Sequence, residues 1–354
     1  MTVRGGPRDR RSGRASIVDV AALARVNPSV VSRLLNQDPT LRIRPATRAR
    51  VIAAVSELNY HPNASARALR TLRSGAIGVA VYNVSNPIFV DIVSGATAGA
   101  TDAGYVVLLV DVSTLSQDLD RYKNLIYSSR LDGLLFQGTG LEDDVRLVEL
   151  AVGHIPIVLL NWSLRPGIPA VLPNDTVGVH LAIEHLASLG HRTIGHITGA
   201  PGTDAAVRRL AAFEAALAAA GLKTRGDWTA VGSWDAATGR AAMRQLLAAR
   251  TRPTAVFVDN VISGLGALRE AVDEGVEIPD ELSVVALHDS WVAEVVTPSL
   301  TTVKLPLFEM GRQAVKLILN PTDGVESGGP IVPEVAPELI PRRSTGPAPS
   351  RTTK

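Results

Sequence analysis

Arginine is concentrated at the N-terminal end of this 354-residue chain. Residues 1–73 hold 14 arginines and no lysine against four acidic residues, a local charge of +10, whereas the rest of the chain sums to −8. A strongly basic segment on an otherwise acidic protein is suited to a polyanion such as nucleic acid. Residues 1–14 contain five of these arginines with little apolar sequence, so we predict a disordered basic arm there.

The sequence NPSVVSRLLN at positions 27–36 has the spacing of a helix that could read DNA. Asn27 followed by proline indicates an N-cap and a first helical position. Val31, Leu34 and Leu35 would face a core. The outward face of the helix is then formed by Pro28, Ser29, Ser32 and Arg33. Arginine can form two hydrogen bonds to one guanine in the major groove, a contact worth about 1–3 kcal/mol of discrimination. For any one of these residues alone, a solvated helix face is the preferred interpretation.

Two neighbouring helices would position this face. Ser16 and Asp19 have the spacing of a capping box, which predicts a helix that begins after Ser16. A third helical pattern follows Pro45. Three short helices with a tight break between the first two are typical of a helix-turn-helix.

From Ala76 onward, short apolar runs alternate with helical patterns. The predicted strands are 76–82, 105–111, 132–136, 155–160, 193–199, 254–259 and 282–288. Continuous apolar strands indicate parallel sheets that are buried on both faces. Two such α/β units in one chain predict two lobes, with a ligand cleft at the carboxyl ends of the strands.

Several function classes are excluded or disfavoured. The chain has no cysteine, which rules out disulfides and thiolate metal sites, and no apolar run has the ~18–20 residues that span a bilayer. The basic N-terminus lacks a following apolar stretch, so we expect no secretory signal and a cytoplasmic protein. No phosphate loop or nucleophile elbow occurs, so we expect no enzyme and no cofactor.

Four histidines recur between positions 180 and 196, namely His180, His185, His191 and His196. Their spacing of five or six residues does not place them on one helix face, as zinc ligands would require. We therefore expect solvated or helix-end histidines and no metal site.

Residues 16–73 resemble the headpiece of the LacI/GalR family of bacterial transcriptional regulators. SIVDVAALARVNPSVVSRLLN (16–36) follows the family pattern T-I-x-D-V-A-x-x-A-G-V-S-x-x-T-V-S-R-V-L-N, and RPATRARVIAAVSELNYHPNASARAL (44–69) follows its third helix and hinge. The chain departs from the family at Arg25, where the family has a turn glycine, and at Arg44, where it has a capping serine. We expect slight strain at the first position and an uncapped helix start at the second.

The resemblance implies a set of DNA-contacting residues. They are Ser16, Asn27, Pro28, Ser29, Ser32, Arg33 and Asn36 in the headpiece, with Asn63, Ala66 and Leu69 in the hinge. In the family the hinge is a short helix that forms on DNA and inserts a leucine into the minor groove, which kinks the duplex. Leu69 stands at the position of that leucine. Without the resemblance, a linker helix whose leucine packs on the core would be the preferred interpretation.

The resemblance continues to about Thr345, on stretches such as SNPIF (85–89) and PSLTTVKLP (298–306). It implies an all-α helix-turn-helix headpiece plus an α/β two-lobed periplasmic-binding-protein-like domain, built from two parallel-sheet Rossmann-like subdomains. The expected boundaries are a basic arm at 1–14, the headpiece at 15–62, a hinge at 63–73, the effector-binding and dimerisation domain at 74–346 and a disordered tail at 347–354. Within that domain, we expect 74–172 and 304–333 in the first lobe and 173–303 and 334–346 in the second.

Carried over position by position, the resemblance also implies an effector pocket. Its residues would be Ile88, Phe89, Gln137 and Asn161 from the first lobe, with Arg209, Trp234, Asn260 and His288 from the second. His288, Asn161 and Val261 stand where many family members have aspartate, so the pocket is less acidic than is typical. A sugar or polyol is the first expectation for the effector and an anionic metabolite is the second. A packed or capping role remains an alternative for His288.

The expected function is that of a sequence-specific DNA-binding transcriptional repressor. A homodimer would bind a near-palindromic operator in double-stranded DNA, and a small effector would control that affinity allosterically. We expect a cytoplasmic, nucleoid-associated protein with no membrane partner. The alternative is an effector-binding protein with a vestigial headpiece, which the intact helix pattern and the charge of +10 disfavour.

Overall fold

The structure, a computed structural model, describes residues 15–36, 38–61, 73–164, 167–223, 225–320 and 329–349. Contacts divide the chain into two units, one that ends at Ser74 and one that begins at Gly75. The predicted arm at 1–14 and the hinge residues Asn63, Ala66 and Leu69 lie outside the described residues.

The first unit contains the three predicted helices. They are α1 (Ile17–Ala24), α2 (Pro28–Leu35) and α3 (Pro45–Glu57). Each helix contributes one fully buried valine to a shared core, Val20, Val31 and Val51 respectively. The helix-turn-helix prediction is therefore confirmed.

The helix ends in this unit behave as the residue types predict. Ser16 and Asp19 form the expected capping box, and the Asn27 side-chain oxygen accepts from the Ser29 backbone N–H at 2.9 Å. Arg25 ends α1 in the left-handed region with φ 52°, a conformation that costs a non-glycine residue about 1 kcal/mol. Arg44 precedes α3 without a side-chain cap hydrogen bond.

The second unit begins with a five-stranded parallel sheet and the helices that connect its strands. In chain order the elements are β1 (Ala76–Val81), α4 (Phe89–Asp102), β2 (Val106–Asp111), α5 (Val112–Leu115), α6 (Leu119–Tyr127), β3 (Gly133–Gln137), α7 (Glu142–Ala151), β4 (Ile157–Leu160) and β5 (Ala170–Val171). The strand order is β2-β1-β3-β4-β5. β1, β3 and β4 are buried throughout, as predicted. The prediction of burial on both faces is wrong for β2. Its Val106, Leu108 and Leu109 are exposed because β2 is an edge strand.

A second sheet of six strands follows. Its elements are α8 (Asp175–Ser188), β6 (Ile194–Thr198), α9 (Asp204–Ala219), β7 (Thr229–Val231), α10 (Ala236–Leu247), β8 (Ala255–Val258), α11 (Val261–Asp273), β9 (Ser283–Leu287), α12 (Trp291–Val295), β10 (Thr301–Lys304) and β11 (Glu338–Ile340). The strand order is β11-β10-β9-β8-β6-β7, and only the β10–β11 pair is antiparallel. We call the bodies built on the two sheets the first and second lobes.

The C-terminal part of the chain contributes to both lobes. Helix α13 (Leu307–Leu319) packs on α4 and on β3 and β4 of the first lobe, whereas β11 pairs with β10 of the second. Helix α13 was not predicted from the sequence. The chain thus crosses between the lobes three times, near 172, 305 and 335.

Two expectations need correction, one about the histidines and one about the C-terminal tail. His191 and His196 are fully buried, although solvated or helix-end histidines were expected. His191 lies between the Thr254 and Ser283 hydroxyls, at 3.0 and 2.9 Å. The described part of the predicted disordered tail is also held in place, because the Ala348 N–H donates to the Leu189 carbonyl at 2.8 Å.

Candidate functional site

The eight residues predicted for the effector pocket line one cavity of about 250 Å³ in the second unit: Ile88, Phe89, Gln137, Asn161, Arg209, Trp234, Asn260 and His288. Further residues that were not predicted also line the cavity, among them Tyr82, Thr139, Thr203 and Asp235. Both lobes contribute to the wall, so the cavity lies in the cleft between them.

Strand ends bring three of the polar residues together. Gln137 is the last residue of β3, Asn161 follows β4 and His288 follows β9. Gln137 and Asn161 lie at the carboxyl edge of the first sheet and His288 at that of the second, and this edge is where ligands bind in α/β folds. Asn161 and His288 leave their strands in the left-handed region, with φ of 67° and 66°. Asn and His adopt this conformation more readily than most residues, and such outliers cluster at functional sites.

The remaining residues of the wall are positioned by helix starts and by one close contact. Phe89 begins α4, and Asn260 caps α11, since its side-chain oxygen accepts from the Ile262 N–H at 2.7 Å. The Trp234 indole lies against Gly199, where a Cβ would come within 2.1 Å of the ring. The indole reaches the cavity wall because position 199 has no side chain.

Arg209 is the central polar residue of the cavity and is almost fully buried. It donates through Nε to Asp175 Oδ1 at 2.8 Å, through Nη1 to the Asp259 carbonyl at 2.7 Å and through Nη2 to His288 Nε2 at 3.0 Å. Its Cζ lies 5.7 Å from the centroid of the Trp234 ring, within the range of a cation–π interaction. Asp175 was not predicted from the sequence, because a single acidic residue at a helix start resembles an ordinary cap.

A second arginine extends this network across the cleft. Arg208 pairs with Asp175 at 2.9 Å and with Asp204 at 2.7 Å, and it also donates to the Asn161 carbonyl at 3.2 Å. Asp204 in turn accepts from the Ser163 N–H at 2.8 Å. The first turns of α9, in the second lobe, are thereby bonded to the loop after β4, in the first. The two arginines and two aspartates balance in charge.

The contact between Arg209 and His288 defines the protonation state of the histidine. Arginine stays protonated and only donates, so His288 Nε2 must accept and the ring must be neutral, with its hydrogen on Nδ1. Burial, and then the nearby Arg209 charge, lower the pKa of His288 well below 6.5. The imidazole therefore adds no charge to the cavity at neutral pH.

The depressed pKa of His288 predicts acid sensitivity. Below the unfolded-state pKa of about 6.5, the unfolded chain binds a proton that the folded chain excludes, so stability falls as pH falls. We expect the free energy of unfolding to lose roughly 1 kcal/mol from His288 between pH 6.5 and 5.5, above the range in which carboxylates titrate. Urea unfolding at both pH values measures this loss. The variant His288→Gln should show a shallower pH slope, and an unchanged slope would contradict the assignment.

A buried carboxylate shapes the loop after β3. Asp144 is fully buried and accepts from the Tyr82 hydroxyl, from the Thr139 N–H and hydroxyl, both at 2.6 Å, and from the Gly140 N–H at 3.1 Å. Burial, and then the bond to Asp144, raise the pKa of Tyr82. Tyr82 and Thr139 both line the cavity, so Asp144 fixes two parts of its wall from behind.

The headpiece presents the predicted DNA-contacting face. Ser16, Asn27, Pro28, Ser29, Arg33 and Asn36 are exposed, and Ser32 is half-buried. Arg33 is not free, because its Nε donates to Asp38 Oδ2 at 2.7 Å and its Nη2 to the Thr40 hydroxyl at 2.8 Å. Neither partner was predicted from the sequence.

The part of the chain that the structure describes contains neither a membrane-spanning helix nor a cluster of metal ligands. There, no helix combines the length and apolar character needed to cross a bilayer. The same residues include no group of three or more histidine or acidic side chains arranged to hold a metal ion.

Comparison with known families gives two matches. Residues 16–63 match the family of bacterial regulatory proteins, lacI family, and residues 183–345 match the periplasmic binding protein-like domain. The chain is 30% identical over 331 residues to the HTH-type transcriptional repressor PurR of Mannheimia succiniciproducens, with 93% of this chain and 98% of that protein covered.

Solved structures resemble the whole architecture. A lac repressor dimer bound to operator and the anti-inducer ONPF has a TM-score of 0.79 at 27% identity, and the match covers 94% of this chain and all of that one. A complex of the transcriptional regulator CelR with cellobiose has a TM-score of 0.67 at 28% identity, with the same coverage of both chains.

Proposed function

Because this chain belongs to the lacI family of bacterial regulatory proteins, we propose that Arg33 and its neighbours on α2 read operator DNA and that the interlobe cavity binds the effector. The protein is a DNA-binding transcriptional repressor with an effector-binding domain. The observation that carries the proposal is that one cavity collects all eight predicted effector residues.

The DNA-binding end works in two steps. A homodimer places two α2 helices in successive major grooves of a near-palindromic operator. The hinge, with Asn63, Ala66 and Leu69, opens the central minor groove between them. The protein acts on chromosomal DNA in the cytoplasm, which accounts for a charge of +10 confined to residues 1–73.

The effector controls operator affinity through the angle between the lobes. Ligand contacts from both lobes stabilise one interlobe arrangement over another, and the linkage is reciprocal. The bonds from Arg208 and Asp204 to the loop after β4 already join the lobes beside the cavity. An effector that displaces Asn161 acts directly on this junction, and one that moves Arg209 acts on it through Asp175, which pairs with both arginines.

The effector is a neutral sugar or polyol. The Arg209 charge is balanced by Asp175, and His288 is neutral, so the wall carries little net positive charge to attract an anion. Trp234 and Phe89 offer flat apolar surfaces, while Gln137, Asn161 and Asn260 carry amides that both donate and accept. The regulator CelR, which is similar over most of this chain, is seen with cellobiose.

A thermal-shift panel tests the effector class. It compares neutral monosaccharides, disaccharides and polyols with phosphorylated sugars, nucleobases and organic acids. We expect a neutral sugar at 100 times its Kd to stabilise the folded protein by about 2.7 kcal/mol and raise Tm accordingly. A response confined to anionic compounds would refute the neutral class.

Replacing Arg33 by alanine tests the DNA-reading assignment. The variant loses its two-bond contact with guanine, so affinity for an operator selected from a random duplex library should fall about 10–100-fold. Affinity for a scrambled duplex at the same salt concentration should change much less. Fluorescence anisotropy on both duplexes measures this difference, and equal operator affinity for variant and parent would show that Arg33 does not read the sequence.

A further inference from the structure

The side chain of Arg33 is clamped on one edge by the loop that follows α2. Asp38 Oδ2 accepts from Arg33 Nε at 2.7 Å, and the Thr40 hydroxyl accepts from Nη2 at 2.8 Å. The same hydroxyl donates to Asp38 Oδ1 at 2.7 Å, and the Thr40 N–H donates to that oxygen at 2.8 Å. The four bonds form a closed network around one side of the guanidinium.

The loop itself is fixed to the helix. The Asp38 N–H donates to the Arg33 carbonyl at 3.0 Å, and the Leu41 N–H donates to the Asp38 carbonyl at 3.0 Å. Leu41 packs against the headpiece core. The carboxylate is therefore held in position by its own backbone as well as by Thr40.

The clamp leaves one end of the guanidinium for another partner. Its bonds use the Nε–Nη2 edge, so they do not use the two Nη1 hydrogens or the second hydrogen of Nη2. That end has the spacing to donate to O6 and N7 of one guanine. The Arg33 side chain remains 44% exposed, so a duplex can reach it.

We propose that Asp38 and Thr40 are positioning residues that aim Arg33 at a guanine and keep it from the phosphate backbone. The inference rests on the proposed function, because it takes Arg33 as the DNA-reading residue. A long flexible cation binds any phosphate, whereas a clamped guanidinium accepts a narrow range of partners. The negative charge of Asp38 beside Arg33 also weakens the attraction to phosphate.

The clamp persists at every pH at which DNA binding is measured. The bond from the Thr40 hydroxyl, followed by the bond from Arg33, lowers the pKa of Asp38 to about 2. Asp38 therefore stays ionised, and the selectivity it gives should not vary with pH near neutrality.

The test uses the full chain with Asp38→Asn, and the readout is the ratio of affinities for the selected operator and a scrambled duplex. We expect this ratio to fall about tenfold. The released arginine should also become a phosphate contact, so the slope of log K against log salt on the scrambled duplex should steepen by about 0.9 per headpiece. Thr40→Val, which keeps the charge, should lower the ratio in the same direction, and thermal melting reports whether each variant is folded.

Two further variants isolate the clamp. Glu57→Gln removes one exposed negative charge from the same headpiece without touching Arg33, and it should leave the ratio unchanged. In an Arg33→Ala background, Asp38→Asn should have no effect on the ratio, because a positioning residue acts only through the residue it positions.

The outcomes separate the inference from the proposed function. If Arg33→Ala loses operator affinity while Asp38→Asn keeps the parent ratio, the clamp is overturned and the DNA-reading assignment stands. A higher operator affinity in Asp38→Asn would mean that the clamp competes with DNA, which also overturns it, as would an equal effect of Glu57→Gln. If Arg33→Ala binds the operator like the parent, the proposed function itself fails.

Discussion

Replacing Arg209 by methionine is expected to remove the response to the effector and to destabilise the second unit. Methionine keeps much of the volume but none of the donors, so Asp175 loses one of its two cationic partners, and the Asp259 carbonyl and His288 Nε2 lose a donor. Breaking a buried ion pair costs about 3–5 kcal/mol. Because Arg208 still pairs with Asp175, we expect a loss of about 3 kcal/mol in urea unfolding.

The effector response gives the second readout of this variant. The compound that raises Tm most in the parent protein should produce no measurable shift in Arg209→Met, since the wall loses its central polar residue. The matched control is Arg192→Met, which changes an exposed arginine of the same lobe. This control should retain both the stability and the Tm shift of the parent protein. A full shift in Arg209→Met would place the effector outside this cavity.

The double variant Arg209→Met with Asp175→Asn separates stability from binding. Neutralising Asp175 removes the buried charge that the single variant leaves partly compensated, so part of the lost stability should return. The effector response should remain absent, because neither substitution restores the donors. Recovery of both properties together would mean that Arg209 contributes to effector binding only through the fold.

Residue pattern was enough to predict the strands whose ends build the site, but not α13, whose Leu307 also lines the cavity. The apolar runs that became β1, β3, β4, β6, β8 and β9 are buried in the structure, because central strands of a parallel sheet are covered on both faces. The resemblance then supplied positions at the strand ends, and the fold brings them to one cavity. The strand β2 was predicted, but its exposure was not, because an apolar run does not show whether a strand lies at the edge of its sheet.

The unpredicted features depend on contacts between distant parts of the chain. Asp175 and Arg209 are 34 positions apart, and His196 meets Asp259 from 63 positions away at 2.8 Å. Nothing local marks such residues as buried hydrogen-bonded pairs, since each also fits a solvated surface. The Arg33 clamp is local, but it depends on how the loop after α2 folds back, which periodicity does not describe.

The crossing of α4 and α13 depends on glycine at two positions. A Cβ on Gly95 would lie 1.8 Å from the Phe308 carbonyl oxygen, and one on Gly311 would lie 2.1 Å from the Ile92 carbonyl oxygen. Neither glycine has a positive φ, so the requirement is close approach of two backbones and not chain flexibility.

Gly95→Ala is therefore expected to lower the free energy of unfolding by about 3 kcal/mol, at the upper end of the range for overpacked cores. The helices cannot relieve a backbone overlap by a rotamer change, so they must move apart. Gly99→Ala in the same helix is the matched control, since its Cβ would meet the Arg312 carbonyl oxygen at 3.3 Å. That contact is tight but tolerable, and the gain of about 1 kcal/mol in helix propensity offsets it.

Gly95→Ala should also change the shape of the effector cavity. Phe89 at the start of α4 and Leu307 at the start of α13 both line it, so helices forced apart at Gly95 shift two parts of its wall. We expect Gly95→Ala to weaken the effector-induced Tm shift, and Gly99→Ala to preserve it. Equal urea midpoints for the two variants would show that the helices separate freely at this crossing, and the cavity wall would then not depend on it.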